Sequence, residues 1–111
     1  MKEKTKSFTI HLSNEDRLDV KIKITDDKVK GFVLNYRTLI KGKFRQIYRV
    51  DTAHGYLHEQ RFWLSPKPVK IKRGDLDKVL NELKERLSLD YWRYKKLYEE
   101  ALRNGKIKNS S

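Results

Sequence analysis

The feature that most limits what this chain can fold into is a change of hydrophobic period near residue 75. Before it, apolar side chains recur at every second position: Phe8, Ile10 and Leu12 alternate with Thr9 and His11, and Leu18, Val20, Ile22 and Ile24 alternate with Asp19, Lys21, Lys23 and Thr25. A period of two is that of a strand with one buried face. The pattern predicts strands over 7–12, 18–25, 29–40, 44–50 and 57–64. Ser13-Asn14-Glu15-Asp16, Asp26-Asp27 and Lys41-Gly42-Lys43 supply the turns between the first four. In the third strand Phe32, Leu34 and Tyr36 share a side. In the fourth, Phe44, Gln46, Tyr48 and Val50 lie opposite Arg45, Ile47 and Arg49. Pro66 and Pro68 cannot donate to a ladder, so the run through Val69 and Ile71 reads as extended and edge-like.

After residue 75 the period is helical. Leu76, Leu80, Leu83, Leu87, Tyr91, Tyr94, Tyr98 and Ala101 recur at steps of three and four, with Asp75 placed to cap the start and Asn104-Gly105 to stop the end. One long helix or two with a break at Ser88 both satisfy this spacing. Trp92 falls one step off the stripe and is the aromatic residue expected at the surface.

Strands followed by helix, rather than alternating with it, give an α+β fold: an antiparallel meander of about five strands with a C-terminal helix or helix pair on one face. The expected layout is a single domain over 1–111, with the sheet at 7–72, the helical segment at 75–104, and loosely held ends at 1–6 and 106–111. One helical layer covers one sheet face. On strand alternation, Lys21, Lys23, Arg37, Arg45 and Arg49 line the other, and charge supports that placement. The net charge is +12, and residues 1–72 carry 17 Lys or Arg against 8 acids while 73–111 carry 10 against 7, so most of the surplus sits on the sheet. A surface of that sign attracts polyanions, with RNA as the expected partner.

With no cysteine, the chain has no disulfide framework and no thiolate metal site. No run of about 20 apolar residues offers a membrane span, and no apolar core follows the charged start as in a signal peptide. A cytoplasmic protein without membrane attachment is expected. Abundant Lys, Arg and Glu with one Met and two Gln resemble the composition of proteins from hot environments.

Chemistry concentrates in Arg49-Val50-Asp51-Thr52-Ala53-His54-Gly55-Tyr56-Leu57-His58-Glu59-Gln60-Arg61. Metal-free RNA cleavage needs a base for the 2′-hydroxyl proton, an acid for the leaving oxygen and cations for the phosphorane. His54 and His58 suit the first two roles because imidazole titrates near neutrality. Asp51 could orient His54, Arg49 and Arg61 could clamp phosphate, and Tyr56 could donate a hydrogen bond or stack on a base. The same residues also fit an ordinary turn, where histidine satisfies carbonyls and aspartate caps. They further allow a zinc site of His54, His58 and Asp51 or Glu59, although the spacing is not that of the helical His-Glu-x-x-His motif. The preferred reading needs neither metal nor cofactor.

Arg49-x-Asp51-x-Ala53-His54-Gly55-x-x-His58 resembles an Arg-Tyr-Asp-x-Ala-His-Gly-x-x-His pattern found in a family of small archaeal and bacterial proteins. It is distantly similar to TumE-like toxins of toxin-antitoxin pairs, which carry an Arg-Tyr-Asp-Asn-Ala-Pro-His run followed by further histidines. Here Val50 stands for the tyrosine and Thr52 for the asparagine, no proline precedes His54, and Gln60 and Arg61 follow His58. The resemblance spans about residues 44–64 and implies action on RNA or translation, with an antitoxin protein or the ribosome as partner. Two functional readings follow: a toxin-type, metal-independent ribonuclease, and a non-catalytic nucleic-acid- or ribosome-binding module. A third is an interaction subunit whose helix pairs with another chain through its aromatic stripe.

Overall fold

A computed structural model of the chain describes residues 2–52, 57–64, 69–71 and 75–107. Among them six strands form one antiparallel sheet in sequence order: β1 (Glu3–His11), β2 (Asp16–Thr25), β3 (Lys28–Ile40), β4 (Lys43–Asp51), β5 (Leu57–Arg61) and β6 (Val69–Ile71). Two connections are two-residue loops in which both residues have positive φ: Asp26 (51°) and Asp27 (64°), then Lys41 (52°) and Gly42 (81°). Loops of that kind carry the twist that suits a hairpin, which is why the alternation restarts so soon after each. The first strand begins at Glu3 rather than Ser7. Its leading residues are not loosely held but pair with Ile22 through Thr25, and Lys2 accepts a backbone hydrogen bond from Asp26 at 2.9 Å.

The C-terminal segment is one unbroken helix, α1 (Leu76–Arg103), of about 42 Å at 1.5 Å per residue. Asp75 caps it by accepting from the Asp77 amide at 3.1 Å. At the other end Gly105, at φ 69°, lets Lys106 N donate to Ala101 O at 2.9 Å and Gly105 N to Leu102 O at 3.2 Å, closing the last turn in a Schellman arrangement. No break occurs at Ser88. Its hydroxyl donates to Lys84 O at 2.8 Å, one turn back, so the polar side chain is satisfied within the helix.

The helix lays Leu76, Leu80, Leu83, Leu87, Tyr98 and Ala101 on the sheet face that holds Leu18, Val20, Ile22, Phe32, Leu34, Tyr36, Tyr48 and Val50. Ring contacts close the seam: Tyr94 meets Tyr48 at 5.2 Å and Trp63 at 5.3 Å, and Tyr91 meets Tyr36 edge-on at 6.1 Å. Trp92 points away and is 59% exposed. The register of β3 on β4 runs Tyr36 to Tyr48 but Arg37 to Gln46, so Ile47 is an extra residue, a bulge that buries both Ile47 and Tyr48. Beyond it the side chains of β4 exchange faces, contrary to unbroken alternation. Arg45 stands opposite buried Thr38 on the helix-covered face, and Phe44 goes to the other.

Among the described residues one carboxylate is buried in this layer. Asp16, 5% exposed, accepts from the Tyr36 hydroxyl at 2.6 Å and the Ser13 hydroxyl at 2.5 Å. Burial pushes its pKa up, but hydrogen bonds from Ser13, Thr38 and Tyr36 and the charge of Lys95 outweigh that and hold it below the ordinary 3.8. A carboxyl that stays charged to lower pH in the folded chain stabilises the fold above its unfolded pKa, and that contribution disappears as pH falls through the folded value. Urea unfolding of Asp16→Asn should therefore show a loss of about 1–3 kcal/mol at pH 7 that shrinks below about pH 4. A loss that stays constant down to pH 2.5 contradicts the assignment.

Candidate functional site on the open sheet face

The helix covers one face only, and the alternation of each strand fixes what the other presents. Along β2 these are Arg17, Asp19, Lys21 and Lys23; along β3, Gly31, Val33, Asn35 and Arg37; along β4, Phe44, Gln46, Arg49 and Asp51; along β5, His58 and Gln60. This face is less cationic than the sequence implies, because acids interleave with the bases. Lys23 pairs with Glu3 at 3.1 Å, Arg37 with Asp19 at 2.8 Å, and Arg49 with Asp51 at 3.1 Å. Arg17 donates to the carbonyls of Ser13 (2.8 Å) and Asp16 (3.2 Å). Among the described residues Lys21 has no acid within 4 Å. Burial raises the Asp19 carboxyl, but hydrogen bonds from Arg37 and Thr9 and the Arg37 charge prevail and hold its pKa below 3.8.

Asp51 is the focus. Its Oδ2 accepts from Arg49 Nε at 3.1 Å, and its Oδ1 stands 3.8 Å from His58 Nδ1, both side chains being mostly shielded from solvent. The pairing of β4 with β5 sets Asp51 directly across from His58, so backbone register alone brings an arginine, a carboxylate and an imidazole together. Arg49 and Asp51 also line a groove of about 430 Å³ with Lys21, Lys23, Gly31 and Thr52. A second depression of about 530 Å³ adjoins it and shares Lys21, Val33 and Arg49. Arg49 thus stands where the two meet.

Several expected site residues lie elsewhere. Arg61 is on the helix side, paired with Glu59 at 3.0 Å, so the sheet separates it from Arg49 and the two cannot clamp one phosphate from the same face. Glu59 accepts from the Tyr48 hydroxyl on that same side, which removes it from any ligand set with Asp51 and His58. Arg45 is lost to the open face through the bulge. His54 and Tyr56 lie outside the described residues. Among those described, no group of three or more His, Cys, Asp or Glu is gathered as a metal would require. Sequence reasoning missed Phe44, which is 42% exposed with the guanidinium groups of Arg17 and Arg37 over its ring at 5.5 and 5.0 Å. It also missed Asp19 and Asn35. Their positions in the alternation are the signal that places them on this face.

A family model described as a domain of unknown function (DUF7718) matches residues 1–104. The chain belongs to the DUF7718 family. No curated protein and no solved structure matches it. The matched span takes in all six strands and α1, so the residues of the open face and its grooves all fall within it. No helix among its described residues is long and apolar enough to cross a membrane.

The floor of the first groove depends on a glycine. A Cβ on Gly31 would stand 2.8 Å from Thr52 Oγ1, and that oxygen is held by the Phe32 amide at 2.9 Å. Gly31→Ala in the DUF7718 domain should cost about 1–3 kcal/mol by crowding. In a Thr52→Ala background the cost should fall to a few tenths, as a double-mutant cycle by urea unfolding will show. Additive losses would mean that the crowding lies elsewhere.

Proposed function

We propose that this protein binds RNA on the open sheet face and cleaves it without metal, in the manner expected of a toxin-type ribonuclease. The observation that carries the reading is the Arg49, Asp51 and His58 cluster beside a groove lined by Lys21 and Lys23. Asp51, 3.8 Å from His58 Nδ1, balances the charge that forms when the imidazole takes up a proton. Arg49 offers its guanidinium, and Lys21 and Lys23 their ammonium groups, to phosphate oxygens. One histidine removes the proton of the 2′-hydroxyl, whose oxygen attacks the adjacent phosphorus. The bond to the 5′-oxygen breaks, a second histidine protonates that oxygen, and a 2′,3′-cyclic phosphate is left. His58 takes one of these roles and His54, four residues earlier in sequence, the other. The resemblance of this stretch to TumE-like toxins supports RNA as substrate and an antitoxin protein as the physiological partner, in a cytoplasmic setting.

The test uses total RNA in EDTA with the wild type and the His54→Ala, His58→Ala and Asp51→Asn variants. Each histidine variant should lose about 10²–10⁴-fold in cleavage rate while retaining RNA affinity. Equal degradation by all four proteins would end the catalytic reading. RNA binding without product in any of them would assign the open face to a non-catalytic nucleic-acid- or ribosome-binding module. In either case Lys21→Ala with Lys23→Ala should weaken binding and reduce its salt dependence by roughly one to two counterions.

A further inference from the structure

We propose that the chain forms a two-fold dimer in which β1 pairs antiparallel with β1 of a second copy, centred on Ser7. The inference does not rest on the ribonuclease reading. β1 is an edge strand of the sheet, and eight of its nine residues are exposed. The hydrogen bonds flanking it fix which way its backbone groups point. Asp26 N donates to Lys2 O and Leu12 N to Asp16 O, both at 2.9 Å, and both pairs continue the β1 to β2 register. In an antiparallel ladder bonded pairs alternate with non-bonded ones. The even-numbered residues of β1 therefore aim N–H and C=O at β2, and Glu3, Thr5, Ser7, Thr9 and His11 aim theirs outward.

Ser7 is the midpoint of the strand, so only a Ser7-centred register overlaps two copies over their full length. It is also self-complementary. Glu3 faces the partner's His11, Thr5 faces the partner's Thr9, and on the helix side Lys6 faces the partner's Phe8 and Lys4 the partner's Ile10. These are a carboxylate beside an imidazole, a threonine pair and a cation beside an aromatic ring, polar and cation–ring neighbours of the kind that cross-strand positions accommodate. All five outward-aimed residues bond, giving about ten backbone hydrogen bonds. Edge lysines ordinarily discourage such pairing. Here a register shifted to centre on Lys6 would set that lysine against itself, so Lys4 and Lys6 select the register rather than forbid the contact. The dimer joins two open faces into one. Glu3 and Thr5 line the 430 Å³ groove, so the partner's His11 and Thr9 would stand at its outer wall.

Backbone direction gives a selective test by sedimentation equilibrium, supported by amide hydrogen exchange. Wild type should show twice the 13.4 kDa chain mass at high concentration. Protection of the Thr5, Ser7 and Thr9 amides should rise with concentration. Ser7→Pro removes an outward N–H and no bond to β2, so it should be monomeric with a circular dichroism melt close to wild type. Lys6→Pro should destabilise the fold itself. Phe8→Lys, which sets a lysine against Lys6 twice, should be monomeric without touching the backbone. A wild-type chain that stays at single-chain mass up to about 1 mM, a weak-affinity limit, overturns the proposal. So does a dimer that survives in Phe8→Lys.

Discussion

Everything in this molecule depends on one helix having only one sheet face to cover. The stripe from Leu76 to Ala101 is a single apolar strip, and the ring contacts of Tyr91 and Tyr94 with Tyr36, Tyr48 and Trp63 fix it over the middle of the sheet. Burial of that strip supplies the main driving force for folding, and it leaves the opposite face to solvent. Polar and charged side chains at alternate positions of every strand follow from this asymmetry. So does the exposed edge, where Phe8 is 41% exposed with Lys84 over its ring at 5.8 Å. The buried Asp16 with its hydroxyl donors ties the β1 to β2 turn into the same layer.

The open face is then shaped by two local devices. The bulge at Ile47 turns the start of β4 over, which takes Arg45 off the face and puts Phe44 on it. Direct pairing of Asp51 with His58 across β4 and β5 sets a carboxylate between an arginine and an imidazole. Charge on this surface is organised as pairs rather than as a bare positive field, with Glu3, Asp19 and Asp51 each holding a base. On the proposed reading, a phosphate of RNA competes with those acids. The arrangement favours a ligand that meets several bases at defined positions over diffuse attraction.

Much of this was legible in the chain. Alternation from Phe8 to Val50 and the three-and-four spacing from Leu76 to Ala101 specified the strands, the meander and the helix, because each is a direct image of one buried face. The two tight hairpins were visible in Asp26-Asp27 and Lys41-Gly42. The bulge was not, since Ile47 and Tyr48 are both apolar and unbroken alternation reads through them. That one unseen residue misplaced Arg45 and Phe44. Arg61 is close to His58 in sequence but not in space, because odd and even positions of a strand face opposite ways. The continuity of α1 through Ser88 is not legible in the sequence because serine is a weak helix former, and its bond to Lys84 O is local and carries no sequence signature. The pairing of Arg49 with Asp51 lies within one strand and needed only the i to i+2 rule.

The proposed function requires the open face to be the working surface. Amide chemical-shift mapping during titration with a short single-stranded RNA, in EDTA and on the His58→Ala variant to prevent turnover, reads this residue by residue. The account predicts shifts concentrated at Lys21, Lys23, Gly31, Asn35, Arg49 and Asp51, with little change along the exposed side of α1 at Leu89 and Trp92. Shifts confined to α1, or none at low salt, would contradict it.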